Sequence, residues 1–369
     1  MRIGVVCPYN IFKPGGVQSH VEKQIAILRS RGHIVWLITP RPRKYSEAPP
    51  PGVYFIGTSA RVKAQATSVD ISSLVDEADV REMYNQLKLD VIHFHEPFIP
   101  FVSRQLITQA PCPTVSSFHA ALPETLVSRS ISSLGPYLKP VLEATSVALA
   151  VSPAASELIQ DLEDIMVRYV PNGIDLRSYK ENKSSKRDPN TILFIGRLEK
   201  RKGAKALIEA FAILKRKKPA AKLKIAGDGQ LRESLESYCR SNNIEDVEFL
   251  GYIDDQTKQK LLSTCSVYCS PALFGESFGI VLLEAMAMGA PTIAHANPGY
   301  EWVMKDTGRL SLVNAEDSVE FARRLQLMME DEALRAAWLK WARQYVKQFD
   351  YRKIVDQYES IYRSVTRKK

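Results

Sequence analysis

No stretch of this chain stays apolar for the ~20 residues that a membrane-spanning helix requires. The longest apolar run, Gly279 to Pro291, is interrupted by Glu284. A signal-peptide core is lacking too, because the amino-terminal run MRIGVVC meets Pro8 before it is long enough. Cysteine is scarce, five in 369 residues with no CxxC pair. Cys265 and Cys269 stand four apart, but no further Cys or His cluster completes a metal site around them. The expectation is therefore free thiols in a reducing cytoplasm. Eighteen Gly and 21 Pro are too few for a fibrous or low-complexity chain. Neither half carries GxGxxG after its first strand, so dinucleotide binding is not expected. What is present is the 45% apolar, 25% charged balance of a soluble globular chain. The length suits two domains of about 150–200 residues each.

The formal charge of +9 is concentrated. Residues 181–224 hold 14 Lys and Arg against 4 Asp and Glu, whereas 225–369 hold 18 against 21. Such a window suits a phosphorylated ligand or a nucleic acid. Lys215, Arg216, Lys217 and Lys218 within it read most simply as the solvated, basic end of a helix.

Strand and helix signals alternate twice along the chain. Ile3–Cys7, Ile34–Ile38, Val53–Ile56, Asp90–Phe94, Thr114–Phe118, Val147–Val151 and Arg168–Val170 read as strands. Helices fit between them at Gln18–Arg31, Val75–Leu87, Val102–Gln109 and Pro153–Leu162. The polar stretch Lys180–Asn190 breaks the pattern as a linker, and a second series opens at Thr191–Ile195. This predicts an α/β chain of two doubly wound Rossmann-like domains with a cleft between them: 1–180, then 181–350, with 351–369 a closing helix that crosses back to the first.

Three constellations carry chemistry. Gly15-Gly16, between a strand and a helix start, lets backbone approach an anionic ligand, although Gly pairs also make ordinary turns. Arg197, Arg201 and Lys202 flank the junction of the second domain's first strand and helix, where cations can clamp a diphosphate from two sides. Glu276 and Glu284 stand eight apart across a loop and the helix after it, a spacing that suits two groups of hydroxyls on one extended ligand. His119 follows a strand at the carboxyl end, where ligands bind in such sheets. His93 and His95 share a strand face without a third ligand and read as packing groups; no metal is expected.

The run GESFGIVLLEAMAMG, with Gly196-Arg197, Lys202-Gly203 and Pro171-Asn172-Gly173-Ile174-Asp175, resembles the retaining glycosyltransferases of family 4, which have the GT-B fold. CPYNIFKPGGVQSHVEKQ, His93-x-His95-Glu96-Pro97 and Phe118-His119 are similar to the phosphatidyl-myo-inositol mannosyltransferases, which use GDP-mannose. The resemblance spans nearly the whole chain. It implies a metal-independent hexosyltransferase without a cofactor, the nucleotide-sugar being a substrate. Gly16 would lie against the donor diphosphate and sugar; Arg197, Arg201 and Lys202 would hold the diphosphate. Glu276 would bind the transferred sugar with the amides of Ser277, Phe278 and Gly279 nearby, and Glu284 the ribose. Ile253, Asp254, Asp255 and Lys258 would meet the base. His119 would sit by the reacting sugar, and Tyr9 and Gln18 by the acceptor. The implied partners are a nucleotide-sugar and a lipid or glycan acceptor, with no nucleic acid. The implied place is the cytoplasm, with peripheral contact at the inner face of the membrane.

The chain departs from the lipid-acting pattern at the acceptor end. Gln65 to Ile71 carries no Arg where those relatives meet the inositol phosphate, and Asp70 would repel one. Asp76-Glu77-Ala78-Asp79-Val80-Arg81-Glu82 replaces their basic, membrane-docking helix with an acidic one. A UDP-sugar donor with a soluble or glycan acceptor is the alternative. A nucleotide-sugar 2-epimerase shares the architecture, and a nucleic-acid binder would account for the charge window alone.

Overall fold

The computed structural model describes the chain except at positions 14, 65–66, 73–74, 100–101, 121–134, 163–164, 180–185 and 368–369; at 60–64, 67–72, 158 and 161–162 it describes the backbone alone. Pro14, Gln65, Ala66 and the linker residues Lys180 to Ser185 thus lie outside the described residues. Two compact units form, one from Met1–Gly173 with Tyr351–Lys369, the other from Ile174–Asp350. The break falls a few residues ahead of the compositional break at Lys180.

The first unit is built on β1 (Arg2–Val6), β2 (Ile34–Arg41), β3 (Val53–Ala64), β4 (Thr67–Ser72), β5 (Val91–His95), β6 (Thr114–Phe118), β7 (Val147–Ala150) and β8 (Val167–Tyr169). They form one sheet in the order β4-β3-β2-β1-β5-β6-β7-β8. All neighbours run parallel except β3 and β4. Short apolar runs become central strands because helices cover both faces. On one face, helices Gly16–Ser30 and Tyr351–Thr366 bury Val21, Ile25, Leu28, Ile354, Tyr358 and Tyr362 against β1. On the other, Val80, Met83, Leu87 and Leu106 pack from helices Glu77–Leu87 and Val102–Thr108.

The sequence reading ends β3 at Ile56 and places no strand over 65–71. The strand instead runs on to Ala64 and turns back as β4, with Arg61 opposite Asp70 in the ladder. Alternating Val, Ser, Thr and Ile suit a two-stranded ribbon, and that alternation is too polar to read as a buried strand. The helix expected over Pro153–Leu162 is two pieces, a 3-10 turn at Pro153–Ala155 capped by the Ser152 hydroxyl and a helix at Glu157–Leu162.

The second unit holds β9 (Thr191–Ile195), β10 (Lys222–Ala226), β11 (Val247–Gly251), β12 (Val267–Ser270), β13 (Thr292–His295) and β14 (Leu312–Val313), all parallel, in the order β11-β10-β9-β12-β13-β14. Strand order reverses beside β1 in the first unit and beside β9 in the second. In open α/β sheets such reversals open a crevice at the strands' carboxyl ends. Among the described residues no helix is long and apolar enough to cross a membrane. All five cysteines are buried and none forms a disulfide.

Candidate active site

In the second unit, the residues singled out in the sequence gather at the carboxyl ends of β9, β11 and β12. Arg197 leaves β9, and a 3-10 turn, Lys200–Lys202, carries Arg201 and Lys202 to the start of helix Ala204–Lys217. Gly203 makes this possible. Its φ is +71°, and a Cβ there would stand 2.0 Å from the Pro271 carbonyl oxygen, so no side chain fits. Glu276 follows β12 and accepts from Arg201 Nη1 at 3.0 Å and from Lys202 Nζ. Arg197 does not join that pair; it meets Glu199 Oε1 at 2.8 Å and leaves its side chain 52% exposed.

Glu199 went unnoticed in the sequence. It is buried and also bonds Arg201 Nε at 3.1 Å, so one carboxylate holds both guanidinium groups. A lone Glu among four cations gives no spacing signal, which is why pattern alone misses it.

Glu284 lies on helix Ile280–Ala287, entered through Gly279 at φ +91°. Its Oε1 accepts from Lys258 Nζ at 2.8 Å and from the Tyr179 hydroxyl at 2.6 Å. Tyr179 is a second residue the sequence did not flag. Lys258 also reaches Asp255 at 3.0 Å, and although burial opposes it, the nearby Glu284 carboxylate helps raise its pKa above the usual lysine value. The Asp254 carboxylate caps helix Asp255–Thr264 by accepting from the Thr257 N–H at 2.7 Å, so it is committed to the fold. Beside it Ile253 is half-buried. The Phe278 side chain is in the core against Phe349, leaving only its backbone to face a ligand, and Ser277 precedes it in the same loop. The Lys215–Lys218 group is a helix end: Lys215 Nζ bonds Asp246 and the Ala221 carbonyl, and Lys218 meets Glu330 at 3.5 Å.

In the first unit, Tyr9 follows β1, Glu96 follows β5 and His119 follows β6. Gly16 opens its helix with open space where a Cβ would be. Gln18 turns its amide toward the Asn10 carbonyl at 3.5 Å. His119 Nε2 meets His95 Nδ1 at 2.8 Å, while His20 Nε2 meets the Tyr358 hydroxyl at 3.1 Å. His93 bonds Ser117, Tyr362 and Gln24. Burial lowers the pKa of all four imidazoles, His119 to about 4 and His93 to about 3, so they are neutral near pH 7.

Ring nitrogens of His20, His95 and His119 lie within 4.8 Å of one another, close enough to raise the question of a metal. His20 spends Nε2 on the Tyr358 hydroxyl, and His95 Nδ1 and His119 Nε2 face each other. His20 Nδ1 and His95 Nε2 are buried without a hydrogen-bond partner. A cavity of about 580 Å3 opens at the opposite, amino ends of β6–β8, lined by Cys112, Thr114, Arg168 and Ser364, and holds none of the candidate residues.

Two Rossmann-like units, with cations and carboxylates at the strands' carboxyl ends in the second, fit the GT-B fold. Solved structures agree in fold. Sucrose-phosphate synthase from Thermosynechococcus elongatus matches at TM-score 0.75 and 20% identity, covering 100% of this chain and 99% of that one. Anabaena HepE in complex with UDP and glucose matches at 0.75 and 19%, covering 99% and 100%. Residues 14–178 match the family described as Glycosyltransferase Family 4, and 177–345 that described as Glycosyl transferases group 1.

The chain belongs to glycosyltransferase family 4. It is 32% identical to the phosphatidyl-myo-inositol mannosyltransferase of Mycolicibacterium smegmatis, covering 99% of this chain and 94% of that protein. It is 31% identical to the one from Mycobacterium leprae, covering 99% and 97%. The N-acetyl-alpha-D-glucosaminyl L-malate synthase of Bacillus anthracis is 29% identical, covering 100% and 98%.

Proposed function

We propose that this glycosyltransferase moves mannose from GDP-mannose to phosphatidylinositol or a closely related lipid, with retention at the anomeric carbon and without a metal or cofactor. The observation that carries the donor half is the pairing of Arg201 and Lys202 with Glu276 after β9, with Arg197 joined to Arg201 through Glu199. Three cations can hold a diphosphate and take up the charge that develops as it departs. Glu276 then turns to the sugar hydroxyls and Glu284 to the ribose. In front-face transfer a donor phosphate oxygen removes the acceptor proton, so no separate base is needed; neutral His119 offers a hydrogen bond to the sugar. The mannosyltransferase relatives support the lipid acceptor.

The acidic helix Glu77–Leu87 argues that any approach to anionic membrane uses another surface, since Glu77, Asp79 and Glu82 are exposed on it. The Bacillus anthracis relative favours a soluble acceptor as the second reading. The test is transfer from GDP-mannose to phosphatidylinositol vesicles, with released GDP and mannosylated lipid measured together. Both products are expected, and Lys202→Ala should abolish both. GDP without lipid product moves the acceptor to a soluble molecule; a UDP-sugar outperforming GDP-mannose overturns the donor.

A further inference from the structure

Glu96 takes no part in the reading above, yet the fold invests in it twice. It is a non-glycine residue at φ +53°, in the left-handed region that side chains disfavour, and it buries a carboxyl group at the carboxyl end of β5. Both converge on one short turn. The Glu96 N–H donates to the Ser117 carbonyl at 2.8 Å, and its Oε1 accepts from the backbone N–H of His119 at 2.6 Å and of Ala120 at 2.7 Å. Three bonds from one residue therefore fix residues 117–120, the turn that presents the His119 ring. Strain and a buried charge kept at the edge of a site point to a role in that site.

We infer that Glu96 is the positioning residue for His119: its carboxylate grips the turn after β6 and so fixes the imidazole in one orientation. This rests on the role proposed above for His119. The groups facing the carboxylate are Tyr9 from the segment after β1, whose phenol is pushed up by burial and by the Glu96 charge, and His119 itself. His95 precedes it on β5, with His93 farther along that strand and His20 on the adjoining helix, all kept neutral by burial. Burial raises the Glu96 pKa to about 7, against the opposing pull of the two N–H donors. The acceptor is therefore strongest as the carboxylate, and the grip loosens as pH falls through that value.

The experiment compares Glu96→Ala, Glu96→Gln and His119→Ala in full-length protein, by steady-state transfer and by hydrogen exchange of the His119 and Ala120 amides. Glu96→Gln keeps an acceptor oxygen but loses the charge, so at every pH it should show the modestly lowered kcat that the wild type reaches on the acid side of pH 7, without the fall itself. Glu96→Ala should lower kcat by about 10²-fold with little change in donor KM, as expected for a misplaced group. Its two amides should exchange much faster, and adding His119→Ala should cost nothing more. Unchanged kcat in Glu96→Ala, or losses that multiply in the double variant, overturns the proposal. If Glu96→Ala does not fold, an unaltered acid limb in Glu96→Gln does the same. Absence of transfer by the wild type would defeat the functional reading alone, because amide exchange in the variants still tests the grip.

Discussion

Glu276 accepts from Arg201 and Lys202, two of the cations proposed to hold the diphosphate. Glu276 thus offsets part of the cations' charge, and a diphosphate must compete with the carboxylate for them. Removing that competing charge while keeping the side chain's shape has a definite consequence. Glu276→Gln should bind GDP as tightly as wild type or more so, while turnover falls about 10²-fold through lost contacts to the sugar. Titration calorimetry with GDP beside initial rates checks this; equal losses in both would contradict it.

At the scale of elements, helix Tyr351–Thr366 is tied to the first unit by polar groups as well as apolar ones. The Tyr362 hydroxyl accepts from Gln24 Nε2 at 2.7 Å and lies 2.6 Å from His93 Nδ1. Tyr362→Phe leaves buried polar groups short of a partner and should cost about 1–3 kcal/mol, measured by urea unfolding. The helix itself was legible in the sequence, as was β9, because each buried strand is a short apolar run and each helix keeps one apolar face. The hairpin of β3 and β4 was not legible, since its residues do not form such a run. Types and spacing singled out Arg197, Lys202, Glu276 and Glu284 as candidates. They could not reveal Glu199, Tyr179 or the grip of Glu96, whose importance lies in partners remote along the chain or in a backbone conformation.

For the whole molecule, the four buried imidazoles make acid the weak side of the first unit. His20, His93, His95 and His119 have folded pKa values below the ordinary 6.5, so an unfolded chain takes up protons that the folded one refuses. Stability from these groups is full above pH 6.5 and is lost as pH falls toward about 4. Glu96, raised to about 7, acts in the opposite direction, one group against four. Scanning calorimetry between pH 7.5 and 5 should show the transition of the first unit falling further than that of the second; the reverse order would refute this. The first unit is also split along the chain, its sheet made from residues before 174 and its last helix from residues after 350. A ribosome therefore delivers the whole second unit before it delivers the helix that covers β1. Until the codons for Tyr351–Thr366 are read, the older half of the molecule waits with an apolar face bare, and a message broken ahead of them would yield one finished unit joined to one that cannot close.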